Sequence, residues 1–274
     1  DSVKSRGLGD VYKRQRNNTM ANKKVLYDGK AKTIFEGPTP DTVVQYFKDD
    51  ATANNAEKHS IINGKGVLNN AISDFLMRKI NELGIPTHYI KKINMREQLV
   101  RKVEIIPVEF VVRNIAAGSI VKRLGLKEGT TFLRPLVEHY LKKDELGDPF
   151  INEDHIINFE WGSQDELDEM HEYGLRINDF LRGLFLGIGL KLVDFKIEFG
   201  RFYSEDGSSI LLLADEISPD NCRLWDTNTN NKMDKDLFRQ DIGGLKEAYQ
   251  EVANRLGILP EKKTYSSTKT EIVK

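Results

Sequence analysis

The 274-residue chain has one cysteine, so neither an intramolecular disulfide nor a multi-cysteine zinc site is open to it. It has no surplus of either charge, with 41 Lys and Arg against 42 Asp and Glu for a net −1. That balance argues against a protein whose main task is to neutralise nucleic-acid phosphates. It also lacks a long apolar run. The most apolar stretch, Leu184 to Phe195, is broken by Gly187, Gly189, Lys191 and Asp194 and falls short of the roughly 20 residues a membrane span requires. No G-x-x-x-x-G-K-[ST] loop, strand-turn-helix G-x-G-x-x-G, H-E-x-x-H or G-x-S-x-G is present. What remains is an ordinary globular composition, 39% hydrophobic and 30% charged, whose lone thiol fits a reducing, cytoplasmic setting. Neither a membrane nor a nucleic acid is expected as a partner.

The two ends read differently from the body. Residues 1–19 are polar and basic without the apolar core of a signal peptide, and a natural-looking start follows at Met20. They are expected to be a non-native or disordered leader, and 261–274 a polar tail. In the body, Asp28-Gly29 between short apolar runs predicts a hairpin over 24–36, and 42–48 a further strand. Apolar residues from Val67 to Leu83 recur at helical spacing until Gly84 and Pro86. Strands are expected over 87–93, 97–103 and 107–113, then a short helix near Ser119. The 129–161 stretch reads as loop with one or two helical turns. A long helix over 164–186, a hairpin of 190–203 with 209–216, a loop over 218–226 and helices over 235–240 and 245–256 complete the pass. Mixed strands followed by helices and hairpins predict an α+β fold with antiparallel sheets, not a doubly wound parallel sheet.

Four segments carry chemistry. In DGKAK, Lys30 and Lys32 share a strand face beside a glycine turn, which suits either a polyphosphate cradle or a solvated hairpin. In LVDFKIEFG, Asp194, Lys196 and Glu198 alternate with apolar residues beside a strand, ILLLADE, that is apolar on both faces. Charges enclosed there need partners, and Glu198 with Asp215 could hold Mg²⁺, which takes oxygen ligands; an amphipathic wet strand is the plain alternative. In PVEFVVRNIAAGSIVKRLG, Glu109 and Arg113 share a face leading to Ser119 at a helix cap, with Lys122 and Arg123 in the first turn. A bound anion or simple solvation would relieve those cations. In SPDNCRLWD, Arg223 offers bidentate donors near Asp220 and Asp226, whereas Cys222 has no basic neighbour in sequence and the five histidines show no ligand spacing.

Together with KGVLNN and KMDKDLFRQ, these segments resemble, in order and over about Val25 to Ile258, the bacterial SAICAR synthetases. The match is looser at 53–57. The resemblance implies a two-lobed fold related to the ATP-grasp enzymes, with a β-rich ATP-covering lobe over 20–104 and an α+β substrate and metal lobe over 105–260. It implies an ATP-dependent ligase that joins L-aspartate to the carboxylate of carboxyaminoimidazole ribonucleotide (CAIR), with Mg²⁺ and a homodimer. Position by position, Lys30, Ala31, Lys32 and Lys142 resemble phosphate contacts. Glu198 and Asp215 resemble metal ligands, with Lys196 as a charge-neutralising neighbour. Arg113, Ser119 and Arg223 resemble the ribonucleotide-phosphate contacts. Glu109, Asp194 and Asp220 would face the imidazole or its metal, and Lys235, Asp236 and Arg239 the aspartate. A small-molecule kinase and a non-catalytic nucleotide-binding module are the competing readings; the second site from Arg113 to Arg223 favours the ligase.

Overall fold

The computed structural model describes residues 24–53 and 58–259. The leader over 1–19, the tail over 261–274 and most of the loosely matching 53–57 loop lie outside the described residues. The expected hairpin forms from β1 (Val25–Asp28) and β2 (Lys32–Glu36), with Asp28 opposite Thr33 and the Thr33 hydroxyl donating to Asp28 Oδ1 at 2.6 Å. β3 (Thr42–Phe47), β6 (Tyr89–Lys92) and β7 (Glu97–Arg101) extend it into a five-stranded antiparallel sheet in the order β1-β2-β3-β7-β6. A short ribbon, β4 (Asp50–Ala53) with β5 (Lys58–Ile61), stands apart from both larger sheets.

The second sheet has six strands. β8 (Glu104–Ile115) and β11 (Leu190–Tyr203) lie side by side at its centre. β9 (Thr131–Leu141) and β10 (Phe150–Ile151) continue past β8. On the far edge of β11, β12 (Ser209–Ala214) pairs with its second half and β13 (Cys222–Asp226) with its first. The pairings between these strands are antiparallel, which gives the mixed α and β architecture with antiparallel sheets that the element order predicts.

The helices follow their apolar spacing. In α1 (Lys65–Glu82), Leu68, Ile72, Leu76 and Ile80 form one buried stripe. α2 (Ser119–Leu124) and α3 (Glu153–Asn158) are short. α4 (Gln164–Gly187) starts at a Ser163–Glu166 capping box and buries Leu167, Met170, Ile177, Leu181 and Phe185 against β8 and β11. Gly174 lies over Phe110, where a Cβ would overlap the ring. α5 (Asp236–Arg239) and α6 (Leu245–Arg255) close the chain. The face of β11 bearing Phe195, Ile197 and Phe199 joins this core, which leaves Asp194, Lys196 and Glu198 on the other face.

Three expectations are corrected. Gly118, not Ser119, caps α2, and Lys122 and Arg123 fall in its last turn, where the helix dipole favours cations, so they need no bound anion. The 129–161 stretch is not mainly loop, because β9 runs for eleven residues within it. Only His139 and Glu138 of β9 are buried, and Pro135 interrupts it, so neither alternation nor propensity marks it; pairing with β8 makes the strand. Likewise, 222–226 of the expected loop is β13, whose alternation is hidden because four of its five residues are buried.

Candidate active site

A cavity of about 980 Å³ opens between the two sheets, lined from β1–β2 on one side and from β8, β9, β11 and the 215–223 segment on the other. The site residues that the resemblance assigns all line it except Asp236, whereas Lys122, Arg123 and Asp226 do not. Strand register sets its floor. Asp194 on β11 sits between Arg113 on β8 and Arg223 on β13, while Glu198 sits between Glu109 on β8 and Ala214 at the end of β12. A two-residue period therefore spaces an arginine-rich half from a lysine-rich half along one strand.

In the lysine-rich half, Lys196 Nζ lies 2.6 Å from Glu198 Oε1, 3.2 Å from Asp215 Oδ2 and 3.5 Å from Glu109. Lys142 reaches Glu198 from the end of β9, and Lys32 pairs with Asp215 and, at 3.3 Å, with Glu216. Burial alone would raise the Glu198 carboxyl, but Lys196 and Lys142 outweigh it and hold the group well below the usual carboxylate range. Burial likewise works against the Lys196 ammonium, and Glu198 and Glu109 more than offset it. Lys32 is pulled down by burial. Asp215 adopts a left-handed φ of 61°, uncommon for a residue with a side chain, as the chain leaves β12. His88 Nε2 lies 2.9 Å from the Asp215 carbonyl, which can only accept, so this nitrogen carries the proton. Burial and the Lys32 charge bring His88 down to about 3 and keep it neutral.

In the arginine-rich half, Arg113 donates to Asp194 at 2.6 Å, to Glu138 at 2.7 Å and to Ser119 Oγ at 3.3 Å. Arg223 meets both Asp194 oxygens, at 2.9 and 3.1 Å, and turns its Nε to Asp236 at 2.9 Å. Arg239 donates to the other Asp236 oxygen at 2.6 Å. Asp236 thus stands behind the cavity wall and orients two guanidinium groups that face it. Gly118, with φ of 66°, lets the backbone approach Arg223, where a Cβ would collide with the guanidinium.

The remaining residues are placed individually. Lys30 is exposed at the hairpin tip and bonds Asp144 across the cleft at 2.7 Å. The Ala31 carbonyl accepts the Lys48 N–H at 2.9 Å. Asp220 has both oxygens engaged, by Lys65 and by Tyr249 OH, so it meets the cavity as part of a buried triad. Lys235 is brought down to about 8 by burial, against the pull of Asp220. Sequence reading assigns no site role to Lys65, His88, Glu138 and Tyr140, and notes Glu216 only as the carboxylate beside Asp215. Lys65 opens the KGVLNN segment without a role of its own, and His88 is passed over with the other histidines for want of ligand spacing. Cys222 is buried and its thiol is pushed far up by that burial, in keeping with an inert side chain.

Among the described residues no group of three or more His, Cys, Asp or Glu is arranged to hold a metal ion. Glu198 and Asp215 nonetheless offer two hard oxygen donors within reach of one Lys196 nitrogen. That donor set fits Mg²⁺, which fills most of its shell from water and phosphate oxygens.

Comparison with known proteins gives the family and the fold. The SAICAR synthetase family model matches residues 25–256. The phosphoribosylaminoimidazole-succinocarboxamide synthase of Rhodospirillum centenum is 62% identical over 242 residues, 88% of this chain and 95% of that one. The crystal structure of the enzyme of that name from Ehrlichia chaffeensis superposes with a TM-score of 0.84 at 50% identity, covering 87% of this chain and all of that one. A SAICAR synthetase solved in complex with ADP gives 0.81 at 43% identity, again over 87% of this chain and all of that one.

Proposed function

The chain belongs to the SAICAR synthetase family, and from that premise we propose how its side chains divide the work. The enzyme is an ATP-dependent ligase of purine biosynthesis that joins L-aspartate to CAIR. A carboxylate resists attack by an amine because it is a stabilised anion with an oxide leaving group. Phosphorylation of the CAIR carboxylate gives an acyl phosphate, which the aspartate amine opens with loss of phosphate.

Lys30, Ala31, Lys32 and Lys142 cover and neutralise the triphosphate. Glu198 and Asp215 would hold Mg²⁺, which supplies charge stabilisation to the transferring phosphoryl group. Lys196 keeps both carboxylates oriented and ionised. Arg113, Ser119 and Arg223 hold the ribonucleotide phosphate, and Glu109, Asp194 and Asp220 set the imidazole side. Lys235 and Arg239, with Asp236 behind them, receive aspartate. Catalysis is by positioning and charge stabilisation, with no enzyme nucleophile.

The observation that carries this reading is the single face of β11. Asp194 anchors the two arginines and Glu198 anchors the two lysines, so two anionic ligands would meet above Lys196. The 20–104 segment would then act as the ATP-covering lobe and 105–260 as the substrate lobe, in the manner of ATP-grasp enzymes. A homodimer in the cytoplasm completes the proposal. The lone buried thiol and the exposed Leu133 and Phe150 on the outer strands support it, and sedimentation velocity tests the dimer. The central test is ADP release with ribonucleotide and aspartate omitted in turn. The ligase requires ribonucleotide, aspartate and ATP together for SAICAR and frees phosphate, whereas a kinase would form ADP without aspartate and free none.

A further inference from the structure

Behind the arginine-rich wall lies a carboxylate that does not reach the cavity. Asp234 is 0% exposed and forms no ion pair among the described residues. Its Oδ2 accepts the Leu224 N–H at 2.8 Å and its Oδ1 accepts the Asp236 N–H at 2.7 Å. The first amide follows Arg223 in β13; the second opens α5. Backbone bonds from Met233 N–H to the Leu224 carbonyl, 2.8 Å, and from Lys235 N–H to the Pro219 carbonyl, 3.1 Å, run on either side. The junction is therefore stitched through one side chain and two flanking amides.

We propose that Asp234 is a positioning residue for the substrate side: its two oxygens clamp β13 to the start of α5 and so fix Arg223, Asp236 and Arg239 relative to one another. The inference rests on the substrate-side assignment above. Its physical basis is the count of acceptors. Arg223 and Arg239 both find Asp236 only if β13 and α5 keep their mutual angle, and two amides from different elements need two acceptors at one point. A carboxylate provides them from a single short side chain. It does so at a cost, because burial and the adjacent Asp236 charge push Asp234 up to about 7. An apolar residue would avoid that cost but orphan both amides.

The test uses the full chain with Asp234→Asn, which keeps the shape but turns an NH₂ donor toward one of the two amides. With each substrate varied in turn, KM for ribonucleotide and for aspartate should rise on the order of tenfold, while KM for ATP stays within about twofold. Arg223→Ala is run alongside. Wild-type KM values for ribonucleotide and aspartate in Asp234→Asn, with a raised ribonucleotide KM in Arg223→Ala, overturn the clamp and leave the site assignment standing. An equal rise in all three KM values in Asp234→Asn also overturns it, because a general loss of stability has no reason to spare ATP. A wild-type ribonucleotide KM in Arg223→Ala overturns the site assignment and the clamp with it. Should the Asn variant fail to fold, Asp234→Ser, which keeps one hydroxyl acceptor, is put through the same comparison.

Discussion

Glu198 has a side chain that burial alone would neutralise, and two lysines keep it an anion. Glu198→Gln retains its shape and removes the charge, so Mg²⁺-dependent turnover should fall on the order of 10²-fold or more, with circular dichroism unchanged. Wild-type turnover in that variant would refute the metal assignment. The sign of its pH effect follows from the depressed value. The contribution of Glu198 to stability is present above the ordinary glutamate value of 4.5 and is lost as pH falls below it, so Glu198→Gln should flatten the acid limb of the melting curve. Lys235 gives a second profile. Its ammonium loses its proton near pH 8, so kcat/KM for aspartate should decline above that pH. Lys235→Arg should carry the decline to higher pH; an unshifted profile would remove Lys235 from the aspartate site. The alternation of Asp194, Lys196 and Glu198 was readable because a strand repeats every two residues. Lys65 and Glu138 were not, because their partners Asp220 and Arg113 lie far away in sequence and only the fold brings them together.

Elements were legible where periodicity or turn chemistry was strong. α1, α4, the Asp28-Gly29 hairpin and the β11–β12 pair all came from local pattern. β9 and β13 did not, since one is largely exposed and interrupted by Pro135 and the other is almost wholly buried, so neither alternates. Packing of α4 on β8 gives an element-scale prediction in which two effects compete. By helix propensity, Gly174→Ala should gain up to about 1 kcal/mol. The added methyl would overlap the Phe110 ring, which already packs edge-on against His139, His171 and Phe199 and cannot swing aside. Overpacking of this kind costs roughly 1–3 kcal/mol, so the variant should be less stable than wild type in urea unfolding. A gain in stability would mean that α4 and β8 are not in this close contact.

At the scale of the whole molecule, the two sheets meet at a backbone bridge between Thr87 and Leu213, with Tyr89 of β6 in the main apolar core, and across the cleft they are joined by charged side chains. Lys30 reaches Asp144, and Lys32 reaches Asp215 and Glu216, so the hairpin of one sheet is tied to the acidic edge of the other. A triphosphate bound there would meet lysines from both sheets and carboxylates, through Mg²⁺, from one. Binding should therefore stabilise the chain as a unit. Ligand at 100 times its Kd contributes about 2.7 kcal/mol, which for a chain of this size is a rise in Tm of roughly 5–10 °C. ADP with Mg²⁺ should give such a rise in wild type. In Glu198→Gln, ADP should give a smaller one that no longer responds to Mg²⁺. In Arg223→Ala the nucleotide shift should persist while the shift with ribonucleotide disappears, because that arginine, on β13, lies against the other half of β11. If instead Arg223→Ala abolished the nucleotide shift and Glu198→Gln left its Mg²⁺ response intact, the two halves would have been assigned the wrong way round.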